Sequence, residues 1–301
     1  MQLHQSQKQF RHGKSTGQMW FPYPIRVHAI TCGSSAIHGL KRNLFQSFET
    51  GSQKFLQMTA DQMLNPVLSV AIPAHNEERY IARCLESIVQ SARLASRQVE
   101  LVVALNRCTD KTREIAESFG ARCVVEDRKC IAAVRNAAVR ATSAPAVATL
   151  DADSWMSPNT VSAIIQHVYN PRYIGGGTII RPERMSVGIF FSLLMLAPHV
   201  LKRGVSAGMF WFLRESFNAI DGFDESLVSV EDLDFALRLK VFGKTHDKRY
   251  GTIRRHGITT SCRKFDRFGD WYLFRNPRLV KEIFEGRNER AANHFYYDTE
   301  R

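Results

Sequence analysis

Residues 146–154 read Ala-Val-Ala-Thr-Leu-Asp-Ala-Asp-Ser, an apolar run that stops on two carboxylates one residue apart. The run follows Pro145 and has the length and content of a buried strand, so it predicts a sheet that delivers Asp151 and Asp153 to its carboxyl edge. Open α/β sheets bind ligands at that edge. Side chains at i and i+2 of an extended segment point the same way, so both carboxylates can face one spot and hold a hard divalent cation through oxygen. A cation held there neutralises a diphosphate. The competing reading is that two loop aspartates cap the helix expected to begin near Pro158.

Upstream of this stretch the punctuation is regular. Residues 67–72 (VLSVAI, closed by Pro73), 100–105 (ELVVAL) and 121–126 (ARCVVE) predict three further strands. Between them, residues 78–95 place Tyr80, Ile81, Cys84, Leu85, Ile88 and Val89 at helical spacing, Thr109-Asp110 caps a helix through 119, and residues 129–141 predict another. Strands alternating with helices require a mostly parallel sheet with helices on both faces and right-handed crossovers. Downstream, the pattern predicts a helix over 158–169, a glycine-weakened strand over 173–180 and an apolar helix at 187–201. A strand over 205–213, a short helix over 214–220 and a helix over 231–242, terminated by Gly243, follow. Beyond residue 250 the chain turns basic and aromatic, without a readable period.

A chain of 301 residues with 44% hydrophobic content is long and apolar enough for a sizeable core. Lys+Arg 41 against Asp+Glu 29 leaves +12, which suits anionic partners: nucleic acid, a membrane surface or phosphorylated small molecules. The 6 cysteines form no C-x-x-C pair, which points to a reducing, cytoplasmic setting. No apolar stretch reaches the roughly eighteen residues of a membrane span. The nearest, residues 187–201, contains Pro198 and His199 and reads as a core or interfacial helix, with peripheral contact to an anionic membrane left open. Residues 1–64 are rich in Gln, Ser, His and Gly, carry seven Lys or Arg against Glu49 and Asp61, and read as a poorly ordered basic extension.

Taken together, these stretches resemble the inverting glycosyltransferases of family 2, which use the GT-A fold. The resemblance covers roughly residues 66–265 and rests on ordered motifs. V-A-I-P-A-H-N-E-E is similar to the family's first strand and donor-binding turn, which implies that Pro73, Ala74, Asn76 and Glu77 line the nucleoside pocket. V-A-L-N-R-C-T-D departs from the family's usual D-D-x-S, with Asn106 standing where an aspartate often contacts the base. K-C-I-A-A-V-R-N-A-A is similar to the helix whose basic residue reaches the phosphates, here Arg135. The family's D-x-D falls on Asp151, implied to hold sugar or ribose, and Asp153, implied to hold Mg²⁺ or Mn²⁺ on the donor phosphates. D-G-F-D-E followed by E-D-L-D-F-A-L-R-L implies Asp232 as the general base, with Glu231 orienting it or binding acceptor. His256 matches a third metal ligand of some members, and Arg254, Arg255, Arg263 and Lys264 match a segment that closes over the diphosphate. Gly175-Gly176-Gly177 and Phe210-Trp211-Phe212 are expected to line the acceptor side, with core packing an equal reading for the aromatics.

The expectation is therefore an α/β protein of GT-A type, with a Rossmann-like, mostly parallel sheet flanked by helices and a smaller acceptor-side C-terminal part. Residues 65–155 would form the nucleotide-sugar half, 156–265 the acceptor half, and 266–301 a helical and aromatic extension. Such an enzyme moves a sugar from a UDP- or GDP-sugar to a hydroxyl of a glycan, a lipid-linked sugar or a small molecule. Two other readings compete. A sugar-phosphate nucleotidyltransferase would carry a glycine-rich, arginine-bearing loop after the first strand, where this chain has P-A-H-N-E-E. A basic nucleic-acid-binding protein would explain the charge, but no motif for nucleic acid accompanies it.

Overall fold

The computed structural model describes residues 66–206, 208–227 and 230–280, without the side chains of 199–201. The expected extension over 1–64 and most of the C-terminal extension lie outside the described residues.

Strand β1 (Leu68–Ala74) sets the layers. Its alternation sends Leu68, Val70 and Ile72 into one core with the buried faces of α1 (Ile81–Leu94) and α4 (Thr160–Val168). Ala71 turns to the opposite core, with α3 (Ile131–Arg140) and α7 (Glu231–Lys244). Every residue of β1 is buried, as expected of a central strand covered on both faces. It pairs in parallel with β2 (Val99–Leu105) and β4 (Ala146–Thr149), and β2 pairs in parallel with β3 (Arg122–Val125). Helix α2 (Thr112–Ser118) crosses between β2 and β3. This is the expected α/β half.

The second half continues the same sheet but mixes directions. Strand β7 (Phe210–Leu213) runs antiparallel to both β4 and β6 (Tyr173–Pro182). Strand β8 (Arg249–Thr260) is parallel to β6, and β5 (Ser154–Met156) is antiparallel to β8. The order is β3-β2-β1-β4-β7-β6-β8-β5. The sequence foresaw neither β5 nor β8, and the strand expected over 205–213 is confined to β7. The remaining helices are α5 (Val187–Leu201), α6 (Arg214–Ala219), α8 (Arg263–Phe268) and α9 (Tyr272–Arg275). The boundary expected at residue 265 falls inside α8.

The triple glycine serves packing rather than a substrate. A Cβ on Gly176 would lie 2.1 Å from the Gly251 carbonyl oxygen and 2.4 Å from the Trp211 ring, so only glycine lets β6, β8 and that indole close up. Trp211 is wholly buried and donates from Nε1 to the Gly177 carbonyl at 3.1 Å. Phe210 and Phe212 lie 5.1 and 5.3 Å from Phe235, which stacks on Phe223 at 4.2 Å. Core packing thus accounts for the aromatics that the sequence also allowed on an acceptor face.

Candidate active site: two arginine bridges at the sheet edge

Three turns meet at the carboxyl edge of β1, β2 and β4. In the first, Asn76 adopts the left-handed conformation (φ 51), which asparagine tolerates, and its Oδ1 accepts from the Thr109 backbone N–H at 2.8 Å. The β1 and β2 turns are thereby tied together. Pro73 and Ala74 are buried at the end of β1. The Asn106 amide donates to the carbonyls of Glu126 (2.5 Å) and Arg128 (2.8 Å), so both of its N–H groups are committed to the β3 turn and none is left for a base. Among the polar groups of these turns Glu77 is deeply buried, and its N–H donates to Thr112 Oγ1 at 2.8 Å.

The second turn holds the two aspartates, and here the extended geometry expected from sequence fails. The strand ends at Thr149, and residues 151–154 form a tight turn closed by the Ser154 N–H on the Asp151 carbonyl at 3.0 Å. The carboxylates consequently face different partners. Asp151 pairs with Arg135 at 2.8 Å. Asp153 pairs with Arg263 at 2.8 Å and accepts from Ser261 Oγ at 3.1 Å.

The third turn opens α7. Glu231 and Asp232 occupy its first turn, where the helix dipole favours negative charge, and the preceding Val230 is left-handed (φ 59), a strained state for a β-branched residue. Burial, then the charge of Asp232, pushes the Glu231 carboxyl up to about 7. Burial also raises Asp232, against the pull of Arg135. Two adjacent buried acids titrate as a unit, so near neutrality the pair can accept a proton.

Two guanidinium groups knit these turns together. Arg135 lies between Asp151 and Glu231, with Nε 3.5 Å from the Glu231 carboxylate, and so joins the aspartate turn to the acid pair. Arg263 reaches Glu77 with both Nη atoms (2.7 and 3.0 Å) while holding Asp153, and its guanidinium lies 5.4 Å from the centre of the Tyr80 ring. Asn136, beside Arg135, clamps the D-G-F-D-E loop: it donates to the Phe223 carbonyl and accepts from the Phe223 N–H, both at 2.9 Å. That clamp escaped the sequence reading, although Asn136 was already part of the motif.

His256 does not join this cluster. Thr260 of β8 pairs with Ser154, next to Asp153, whereas His256 lies in the irregular stretch where β8 bulges between Ile253 and Ile258. The expected third metal ligand is replaced near Asp153 by Ser261 and Arg263. Among the described residues no group of three or more His, Cys, Asp or Glu side chains could hold a metal ion. Two carboxylates, Glu77 and Asp153, nevertheless already embrace one cation, the Arg263 guanidinium. Magnesium-like ions take one or two carboxylates and complete their coordination with substrate phosphates and water, so this pair fits such an ion once a diphosphate is present.

A mixed sheet with donor-side turns, paired acids and buried arginines at its edge defines a glycosyltransferase of GT-A type. The chain belongs to glycosyltransferase family 2, whose model, described as Glycosyl transferase family 2, matches residues 69–222. It is 25% identical over 213 residues to chondroitin synthase of Escherichia coli, covering 67% of this chain and 31% of that protein. It is 24% identical over 211 residues to hyaluronan synthase of Pasteurella multocida, covering 66% and 21%. The chain thus spans less than a third of the length of these curated relatives. In fold it is similar to a mannosyltransferase of Pyrobaculum calidifontis solved with GDP-Man and Mn²⁺ (TM-score 0.50, 16% identity, 77% of this chain and 74% of that one). It is likewise similar to glucosyl-3-phosphoglycerate synthase of Mycobacterium tuberculosis (TM-score 0.50, 20% identity, 74% and 81%).

Proposed function

We propose that this protein transfers a sugar from a UDP- or GDP-sugar to an acceptor hydroxyl with inversion at the anomeric carbon. The observation that carries the reading is Arg135, which ties Asp151 at the donor turn to Glu231 beside Asp232. The aspartate turn and the acid pair are thereby held side by side, which supports donor and base meeting there.

Asp232, with Glu231 as its partner, takes the proton of the acceptor hydroxyl. The hydroxyl oxygen then attacks the anomeric carbon from the face opposite the diphosphate, the new glycosidic C–O bond forms, and the old C–O bond breaks with its electron pair leaving on the nucleoside diphosphate. One oxygen of Glu77 would accept a hydrogen bond from a nucleoside hydroxyl, leaving the other to the ion. Asp153 and Glu77 would hold Mg²⁺ or Mn²⁺, which would supply Lewis-acid stabilisation of the leaving diphosphate. Arg263, released from these carboxylates, is placed to bond the diphosphate instead. The mannosyltransferase solved with GDP-Man and Mn²⁺ supports this choice of ligands. We place the reaction in a reducing, cytoplasmic compartment, consistent with the free state of Cys84, Cys108, Cys123, Cys130 and Cys262.

The test is a panel of nucleotide sugars with Mn²⁺ or Mg²⁺, following nucleoside diphosphate release by the wild type, Asp153→Ala and Asp232→Asn. Both variants should lose turnover by a factor of about 10² or more, and only Asp153→Ala should lose metal-dependent donor affinity. Equal activity in all three proteins refutes the mechanism.

A further inference from the structure

Helix α5 carries apolar side chains on the face that points away from the core. Val187, Phe190, Phe191 and Leu194 recur at helical spacing and are 66, 54, 37 and 55% exposed, while Ile189 and Ser192 are wholly buried on the inner face. A helix that is apolar all round normally sits inside a protein. Here Met185, before the helix, and Phe274, in α9, extend the patch, and Phe191 stacks on Trp271 and packs against Phe274 at 5.8 and 5.7 Å. Contiguous apolar surface of this kind marks an interaction site. Among the described residues nothing covers it, and no helix is long and apolar enough to cross a membrane.

The charges beside the patch identify the occupant. Exposed Lys202, Arg275 and Arg278 stand at its ends. The nearby acids are largely offset: Asp266 and Asp270 share Arg184 at 2.5 and 2.8 Å and Glu183 pairs with Arg83 at 2.6 Å, which leaves one negative charge against the three cations. What remains is apolar in the middle and cationic at the rim, the pattern of an element lying in the interface of an anionic bilayer.

We propose that the face formed by α5 and α9 docks on an anionic membrane surface. It adjoins the reaction centre: the Cys262 thiol meets the Arg184 carbonyl at 3.6 Å just ahead of α5, and Arg263 follows Cys262 onto Asp153 and Glu77. Resting on the transferase reading above, this placement makes a membrane-borne acceptor the substrate class that reaches the cleft.

The experiment is flotation of the full chain with vesicles of phosphatidylcholine, alone or mixed with phosphatidylglycerol, alongside nucleotide-sugar binding to the same preparations. The wild type should float with the mixed vesicles and poorly with the neutral ones. Phe190→Asp/Leu194→Asp and Arg275→Glu/Arg278→Glu should each lose about tenfold of that binding, whereas Leu94→Asp, an exposed leucine on α1, should not. Donor binding should stay unchanged throughout, which separates failure of the surface from failure of the site. Absence of flotation, or flotation indifferent to Phe190→Asp/Leu194→Asp, overturns the proposal. So does a dimer, seen by light scattering, that those substitutions dissolve without affecting lipid binding.

Discussion

Arg135 and Asp151, on α3 and at the end of β4, form an ion pair at 2.8 Å in which the arginine side chain is only 11% exposed. The guanidinium is enclosed by three acids, since Asp232 and Glu231 also act on it. The resemblance implies a phosphate contact for Arg135, a role that the two acid contacts leave untested. The structure makes it the joint between the two acidic turns.

Arg135→Met should therefore leave the buried Glu231 and the half-exposed Asp151 without their partner. The expected loss is about 1–3 kcal/mol of stability, the range for stranding a buried acceptor, because solvent screens the Asp151 side of the bridge. Urea unfolding of the variant at pH 8 against pH 5.5 checks it, with the larger deficit expected at pH 8, where the stranded carboxylates are ionised. A deficit below about 1 kcal/mol at both pH values would show that the bridge carries no net energy.

The pH dependence follows from the acid pair. With Glu231 pushed up to about 7, turnover should rise as pH climbs through neutrality and the pair loses its shared proton. Glu231→Gln removes a neighbouring negative charge from Asp232, so the acidic limb of the kcat/KM profile should move to lower pH. For stability the sign is opposite. A carboxyl raised in the folded state above the usual value near 4.5 stabilises the protein at pH below that value and is a growing burden as pH rises to about 7. The wild type should accordingly lose more Tm than Glu231→Gln between pH 5 and pH 8.

Arg263 occupies the carboxylates that a divalent ion would use. Arg263→Ala should tighten Mn²⁺ binding in the absence of nucleotide by about tenfold, equivalent to removing one competing charged hydrogen bond of about 1.5 kcal/mol. Electron paramagnetic resonance titration of free Mn²⁺ reads this without turnover. The same variant should lose affinity for a nucleoside diphosphate. Unchanged Mn²⁺ affinity would mean that the ion and the arginine do not share a seat.

Gly176→Ala tests the packing of the sheet. Its new methyl would meet a backbone carbonyl of β8, which cannot swing away, so a loss of about 3 kcal/mol is expected, the upper part of the range for overpacking. Thermal unfolding measures it. Gly269→Ala, where nothing lies within 4 Å but φ is 87, should cost less, through backbone strain alone.

The first half of the fold was legible because its signals are local. β1 to β4 are apolar runs bounded by Pro, Gly or polar residues, and α1 shows a clean helical period. β5 has only three residues, and β8 carries Arg249, Arg254, Arg255 and His256 with two glycines, so neither has a strand-like pattern. Their existence depends on pairing with each other and with β6. The acids of the site were found from motifs in the order in which they occur. Their partners were not, because whether Asp153 turns to Asp151 or to Arg263 is decided by a four-residue turn and by a strand a hundred residues further on. The partners of Asp153 on the far side, Ser261 and Arg263, come from just beyond β8, whose bulge between Ile253 and Ile258 has no signal in the sequence.

Because Glu77 closes on an arginine 186 positions later, this contact forms long after the first turn has been synthesised. At the usual pace of translation, the first turn waits roughly ten to forty seconds for its partner to be made. During that interval the nascent polypeptide already holds β1 to β4 but has no closed site.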